Sequence, residues 1–446
     1  MTPAETAGPL PGWTVLPFVG YLLAIALLPL AAPKFWHRNR NKLLVALLAA
    51  LPVAAYLLLV PEHGGHWLVH SGKEYLAFVV LMGALYVAAG GIHLKGSLAG
   101  TPLTNTVILG IGALIASFIG TTGASMVLIR PLLRANEKRR RKAHIVIFFI
   151  FVVSNAGGLL TPLGDPPLFL GFLRGVPFLW TLNLVLPWLL VNGVLLAVFN
   201  LLDQRILAKE ELERPGAQLE EVQQLTEPLR LEGGINFLWL LGLIGVIYAT
   251  GAWGTKIIRN PDAALFIQIG GMALLAGCSM ATTRAGVREA NRFTWSPILE
   301  VAAVFAGIFV TMVPALQIVN SMGADGRIAI SEPWQFFWAT GILSSLLDNA
   351  PTYLTFGSLA AGRLGVSPDR MGDLLQAPGG EPLLAAISCG AVFMGAMTYI
   401  GNGPNFMVKA IAEERGIAMP GFFKYMAWSG AVLLPLFGVA TLLFFR

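Results

Sequence analysis

The chain is 446 residues long, 56% hydrophobic and only 12% charged, with a mean hydropathy of +0.70. A soluble domain carries about 25% charged residues, so the composition excludes a soluble globular fold and points to a chain solvated by lipid. The net charge of +6 comes from Lys and Arg in short loops between apolar runs, the usual place of topology signals, and argues against nucleic-acid binding.

Residues 1–12 carry no Lys or Arg, so they lack the basic start of a signal peptide, and the first apolar run is expected to stay as a span. A span needs about 20 apolar residues. In chain order the runs are Trp13–Ala32, Leu43–Val60, Tyr75–Gly91, Thr106–Leu133, His144–Phe172 and Leu182–Leu202. They continue as Ile235–Thr250, Asp262–Met280, Pro297–Val319, Trp334–Gly362, Leu383–Lys409 and Phe422–Phe445. The hydrophilic stretch 203–234, rich in Glu, reads as a cytoplasmic linker between two groups of six. His63, His66 and His70 with Glu62 match no standard metal motif, and His93 ends a span at the interface. Cys278 and Cys389 form no CxxC pair and no disulfide framework.

The basic residues choose among topologies. If all twelve runs cross and the N-terminus is outside, the densest basic run, Arg134–Lys142, falls outside, against the positive-inside tendency. If 106–133 and 334–362 are re-entrant hairpins, the inside loops become 34–42, 92–105, 130–142, 203–234, 281–295 and 409–424. Those loops hold 22 of the 30 Lys and Arg. The basic run then reads as an anchor near anionic lipid. The expected fold is an all-α polytopic membrane protein with about ten full spans and two hairpins, in a cell (inner) membrane. It divides into inverted repeats at 1–202 and 235–446. The first holds an inward hairpin, 106–133, and a broken helix, 144–172; the second holds an outward hairpin, 334–362, and a broken helix, 383–409. Inverted repeats are common in secondary transporters.

The breaks carry the chemistry. Pro162, Pro166 and Pro167 interrupt the helix, and Gly157, Gly158 and Gly164 permit irregular backbone. The segments Thr161-Pro-Leu-Gly-Asp165-Pro-Pro167 and Thr398-Tyr-Ile-Gly-Asn402-Gly-Pro404 match in Thr, Gly and Pro, with an Asp/Asn exchange. Ionisable groups at membrane depth cost at least about 2.5–3.5 kcal/mol and persist where they line a cavity or bind a ligand. The candidate ion-binding residues are Ser154, Asn155, Thr161, Asp165, Asp348, Asn349, Thr398, Asn402 and Asn405, with Glu300 as a proton or coupling residue. Oxygen donors of this kind suit Na⁺ at Asp165, Asp348, Asn155 and Asn349, helped by carbonyls freed at the breaks. A carboxylate that takes either Na⁺ or H⁺ gives exchange by competition. The plainer roles stay open: Asp165 and Asp348 as helix caps, the Asn side chains as backbone partners, Glu300 as a solvated helix end.

At these residues the chain resembles the ion transporter superfamily, and most closely NhaD-type sodium/proton antiporters. The resemblance rests on Ser154-Asn155-Ala156-Gly157-Gly158 with Pro162-Leu163-Gly164-Asp165, on Asp348-Asn349-Ala350-Pro351, and on the span that begins near Glu300. It implies alternating access by a moving part against a scaffold, no cofactor beyond the transported Na⁺ and H⁺, and a homodimer. Where NhaD-type proteins have Gly-Ser-Ala-Ala-Gly, this chain has Gly401-Asn402-Gly403-Pro404-Asn405, as in the superfamily's organic-anion carriers. A citrate, dicarboxylate or arsenite carrier is therefore the alternative. The hairpin tips lack the Ser-Asn-Thr of the dicarboxylate branch, and an acidic tip repels a polyanion unless cations accompany it. No Asp-rich Mg²⁺ motif and no His-Glu-x-x-His is present, which argues against an intramembrane enzyme.

Overall fold

The computed structural model describes residues 10–96, 98–213, 230–254 and 260–446. Glu220 and Glu221 of the expected linker, and Lys256 and Arg259 of an expected outer loop, lie outside them. The fold is that of an all-α polytopic membrane protein. Among the described residues, eleven helical segments are long and apolar enough to cross a bilayer.

The first half contains α1 (Leu16–Ala31), α2 (Asn39–Leu59) and α3 (Gly64–Gly90). It continues with α4 (Pro102–Ile119), α5 (Thr121–Ala135), α6 (Ala143–Val152), α7 (Pro166–Leu173) and α8 (Val185–Glu213). The second half contains α9 (Ile235–Ala249), α10 (Pro261–Thr282) and α11 (Ser296–Ala324). It ends with α12 (Pro333–Leu346), α13 (Asn349–Arg363), α14 (Gly380–Met394), α15 (Gly403–Glu414) and α16 (Phe422–Phe444). Two short strands, β1 (His93–Lys95) and β2 (Arg230–Glu232), pair antiparallel and tie the loop after α3 to the segment before α9.

Burial sorts these helices. Leu23 and Leu27 of α1, Leu48 and Leu58 of α2, Leu238 and Leu241 of α9 and Leu274 of α10 are exposed apolar side chains, a surface that only lipid solvates cheaply. By contrast 94% of 143–160 and 78% of 380–397 are buried, against 22% for 261–282. The two interrupted helices therefore occupy the centre, shielded from lipid by their neighbours. Irregular backbone is tolerated at membrane depth only under such cover.

α4 and α5 form a helical hairpin that turns on a single residue, Gly120, with φ +80°. A left-handed backbone there favours glycine. The arms stay together to their far ends, where the Asn105 and Asn136 amides hydrogen-bond each other. α12 and α13 turn at Leu347–Asp348 and pack through Phe336 and Phe356. α8 differs from expectation in length. It runs on to Glu213, into the stretch read as linker, because Asp203 and Glu210 are buried and partnered. Asp203 forms an ion pair with Arg139 (2.6 Å) and accepts from His144 (2.7 Å) and Asn105 (3.0 Å), and Glu210 accepts from the Arg140 amide (2.6 Å).

Candidate functional site

The first break begins where α6 stops at Val152. Asn155 folds back so that its Nδ2 donates to the Ile150 carbonyl (2.8 Å). Residues Ala156–Leu160 form one 3₁₀ turn, and Thr161 is extended. Side chains from the first hairpin, from the 3₁₀ turn Phe178–Leu184 and from α8 then take up the freed backbone groups. Ser117 donates to the Gly157 carbonyl (2.6 Å) and accepts from the Leu160 amide (3.1 Å). Trp188 donates to the same Gly157 carbonyl (3.2 Å), Asn192 to Ala156 (3.3 Å) and Thr181 to Leu160 (2.9 Å). Thr161 donates to the Ser117 carbonyl and accepts from the Leu163 amide. In this stretch, where freed carbonyls were expected, those at 156, 157 and 160 thus already accept from protein donors.

The second break repeats the threonine latch and adds bonds of its own. Residues Gly395–Met397 form a 3₁₀ turn and Thr398 is extended. Thr398 donates to the Ser345 carbonyl and accepts from the Ile400 amide (3.1 Å). Ser344 donates to the Ala391 carbonyl (2.7 Å). Asn405 donates to the carbonyls of Gly395 (2.9 Å) and Thr398 (3.0 Å). Both breaks close so tightly that a Cβ on Gly164 would lie 2.0 Å from the Gly158 oxygen, and one on Gly401 would lie 2.6 Å from the Gly395 oxygen.

The two breaks and both hairpin tips meet at Asp165, which is 1% exposed. Its Oδ1 accepts from Thr121 Oγ1 (3.2 Å) and Asn402 Nδ2 (3.1 Å). Its Oδ2 accepts from Asn349 Nδ2 (2.6 Å). Four helices start here: α5 at Thr121, α7 after its cap Asp165, α13 at Asn349 and α15 after its cap Asn402. Each N-terminus presents partial positive charge. Among the described residues no Lys, Arg or His hydrogen-bonds to Asp165, so amides, a hydroxyl and helix ends hold the carboxylate. Asn349 keeps its Oδ1 buried and without a partner.

A shell of amides surrounds this centre. Asn402 also donates to the Ser154 carbonyl (3.1 Å) and to Asn155 Oδ1 (3.3 Å), and Asn155 donates to Asn405 Oδ1 (2.8 Å). The hydroxyls of Ser154 and Ser125 hydrogen-bond (2.9 Å). Asp165, Asn349, Asn402, Asn155, Asn405 and Ser154 are therefore one network, while Thr161 and Thr398 act as latches beside it. Asp348 stands at its edge: half-buried, it caps α13 by accepting from the Ala350 amide (3.1 Å). The four residues expected around Na⁺ do not share one shell, since Asn155 reaches Asp165 only through Asn402. Glu300 lies elsewhere, in the second turn of α11, 46% exposed and paired with Lys42 at 2.7 Å. Thr121, Ser117 and Ser125 are the contributors the candidate set lacks. Ser117 and Thr121 stand in the first hairpin's tip motif, so matching it against Ser344 to Asn349 of the second would have found them.

Two sequence comparisons bear on this centre. No curated protein matches the chain. The family described as "Putative citrate transport" matches residues 7–445, nearly the whole length, and the chain belongs to that family.

Proposed function

We propose that the protein is a secondary active transporter that moves citrate or a similar polycarboxylate together with cations, by alternating access around Asp165. The observation that carries this reading is one buried carboxylate where four helix N-termini meet, held from both halves of the chain and, among the described residues, without a basic partner. Helix N-termini attract anions, but a bare tricarboxylate beside Asp165 meets a like charge. A cation travelling with the substrate removes that conflict, and Asp165 and the free Oδ1 of Asn349 are the oxygens nearest to hand for it.

In this reading 1–202 and 235–446 are inverted repeats. The Thr161–Ser117 and Thr398–Ser345 latches, and the Asp165 and Asn402 caps, support the equivalence. The hairpins enter the membrane from opposite faces and return, and the chain sits in a cell membrane, with a homodimer as the expected state. A second reading, sodium/proton antiport with Na⁺ and H⁺ competing at Asp165, draws on the same unpaired carboxylate.

One experiment separates them. The purified chain goes into liposomes holding a pH-sensitive dye, and labelled citrate uptake and dye response are followed with Na⁺ or Mg²⁺ outside. Cation-dependent citrate uptake that disappears in Asp165→Asn supports the citrate carrier. A dye response to Na⁺ without citrate transfers the assignment to antiport. Undiminished transport in a folded Asp165→Asn variant defeats both.

A further inference from the structure

Thr121, the first residue of α5, and Asn402, the cap of α15, both donate to the same oxygen of Asp165. The two helices pack side by side and run from there to one end of the molecule. Arg130 lies nine residues past Thr121 and Arg415 thirteen past Asn402. At 1.5 Å per residue they stand about 14 and 20 Å along the helices.

Four guanidiniums gather at that end. Arg134 lies one turn beyond Arg130 on α5 and donates to the Leu94 carbonyl of β1 (2.7 Å). Arg292, before α11, pairs with Glu414 at the end of α15. The charges of Arg292, Glu414 and Arg415 all act on Arg130, and that of Arg415 acts on Arg134. The carboxylate whose charge reaches Arg130 is Glu414, already paired with Arg292. Arg130 is half-buried, yet among the described residues it has no hydrogen-bond or ion-pair partner.

Two further facts set this cluster apart from ordinary topology anchors, which need only lie in a loop. Arg130 is inside a helix, five residues before its end. Arg292 is the one non-glycine among the described residues with positive φ, 49°. It sits at a helix C-terminus where its own amide bonds Glu289 and the next amide bonds Arg288, a place that normally takes glycine. The side chain, not the turn, accounts for an arginine there. The opposite end is built differently. Arg174 closes α7, which also starts from Asp165, but both oxygens of Glu74 neutralise it at 2.9 Å.

We propose that Arg130, Arg134, Arg292 and Arg415 form an anion-gathering site that draws a polycarboxylate to one mouth of the transport route. The proposal rests on the citrate-class reading above. Several arginine forks suit a ligand with two or three carboxylates, and a focused positive field raises the local concentration of such a ligand.

The test is citrate transport by the full-length chain in neutral phosphatidylcholine vesicles, with KM measured from each face. Arg130→Gln and Arg415→Gln should raise KM about 10-fold from the arginine-bearing face. Maximal rate and the opposite-face KM should not change, and Arg130→Lys should retain most of the affinity. The wild-type KM at that face should rise with salt, and the variants' should rise less. An unchanged KM, or a rise equal at both faces, overturns the proposal. So does an effect confined to vesicles containing anionic lipid, which would assign the arginines to headgroups. Wild-type protein that moves no citrate from either face defeats the underlying functional reading instead, whatever the variants do.

Discussion

Asp165 and Asp348 are both acidic residues at helix starts, yet their surroundings give them different work. Asp165 accepts from three donors in three separate segments, whereas Asp348 accepts from an amide two residues on. Asparagine caps a helix about as well as aspartate. Asp348→Asn should therefore keep transport within the same order as wild type, while Asp165→Asn, in the same uptake assay, should fall below detection. Equal loss in both would return Asp348 to the ion site. The Glu74–Arg174 pair is another buried charge arrangement, with both side chains 5% exposed or less. Breaking such a pair from one side costs about 3–5 kcal/mol because the remaining charge is stranded, whereas replacing both partners by apolar groups is often neutral. Glu74→Gln should lower the melting temperature in detergent more than the double variant Glu74→Leu with Arg174→Met. A double variant less stable than the single one would contradict that account.

At the scale of elements, much was legible because glycine and proline write backbone breaks directly into the sequence. The hairpin expected at 106–133 forms between Pro102 and Ala135, and the interruption expected around 154–167 falls between Val152 and Pro166. The site's residue types were legible too, since polar side chains in apolar runs have few uses. Pairing was not. That Asn155 meets Asn405, or that Asn402 meets Asp165, depends on contacts between residues about 240 positions apart, which no local pattern encodes. For the same reason Asp203 read as part of a linker although Arg139 and His144 hold it buried. The breaks also carry a steric prediction. Gly164→Ala and Gly401→Ala put a methyl group against a backbone oxygen across the turn, so neither should yield folded, monodisperse protein. Gly193→Ala in α8 meets nothing within 4 Å and should be neutral or slightly stabilising. Normal yield from Gly164→Ala would mean the break is looser than these contacts require.

The whole molecule has two chemically unlike ends, and hydrogen bonds define them. At one, Asn39 meets Ser296, Asn291 meets the Ile92 carbonyl, Arg139 meets Asp203 and Arg292 meets Glu414. These bonds join the loops that sequence alone groups as cytoplasmic. At the other end Lys73 pairs with Asp262, and Arg174 joins Glu74 to the Pro368 carbonyl. Of the eleven candidate spans, Pro102–Ile119 returns through α5 to the end it left, because Asn105 and Asn136 bond each other. In the proposed topology it therefore does not carry the chain across, and the other ten candidate spans among the described residues do. Single cysteines test this once Cys278 and Cys389 are replaced by serine and alanine. Glu137→Cys and Gly286→Cys should react with a membrane-impermeant maleimide only from the cytoplasmic face, and Asp325→Cys and Arg370→Cys only from the other. All four positions are exposed. Labelling of Asp325→Cys and Arg370→Cys from opposite faces would break the hairpin topology, because α12 and α13 are the helices that lie between them. If all four positions react with their faces exchanged, the architecture stands, but the rule that places 22 of the 30 Lys and Arg inside would fail for this chain. The arginine-rich mouth would then face outward, toward incoming substrate.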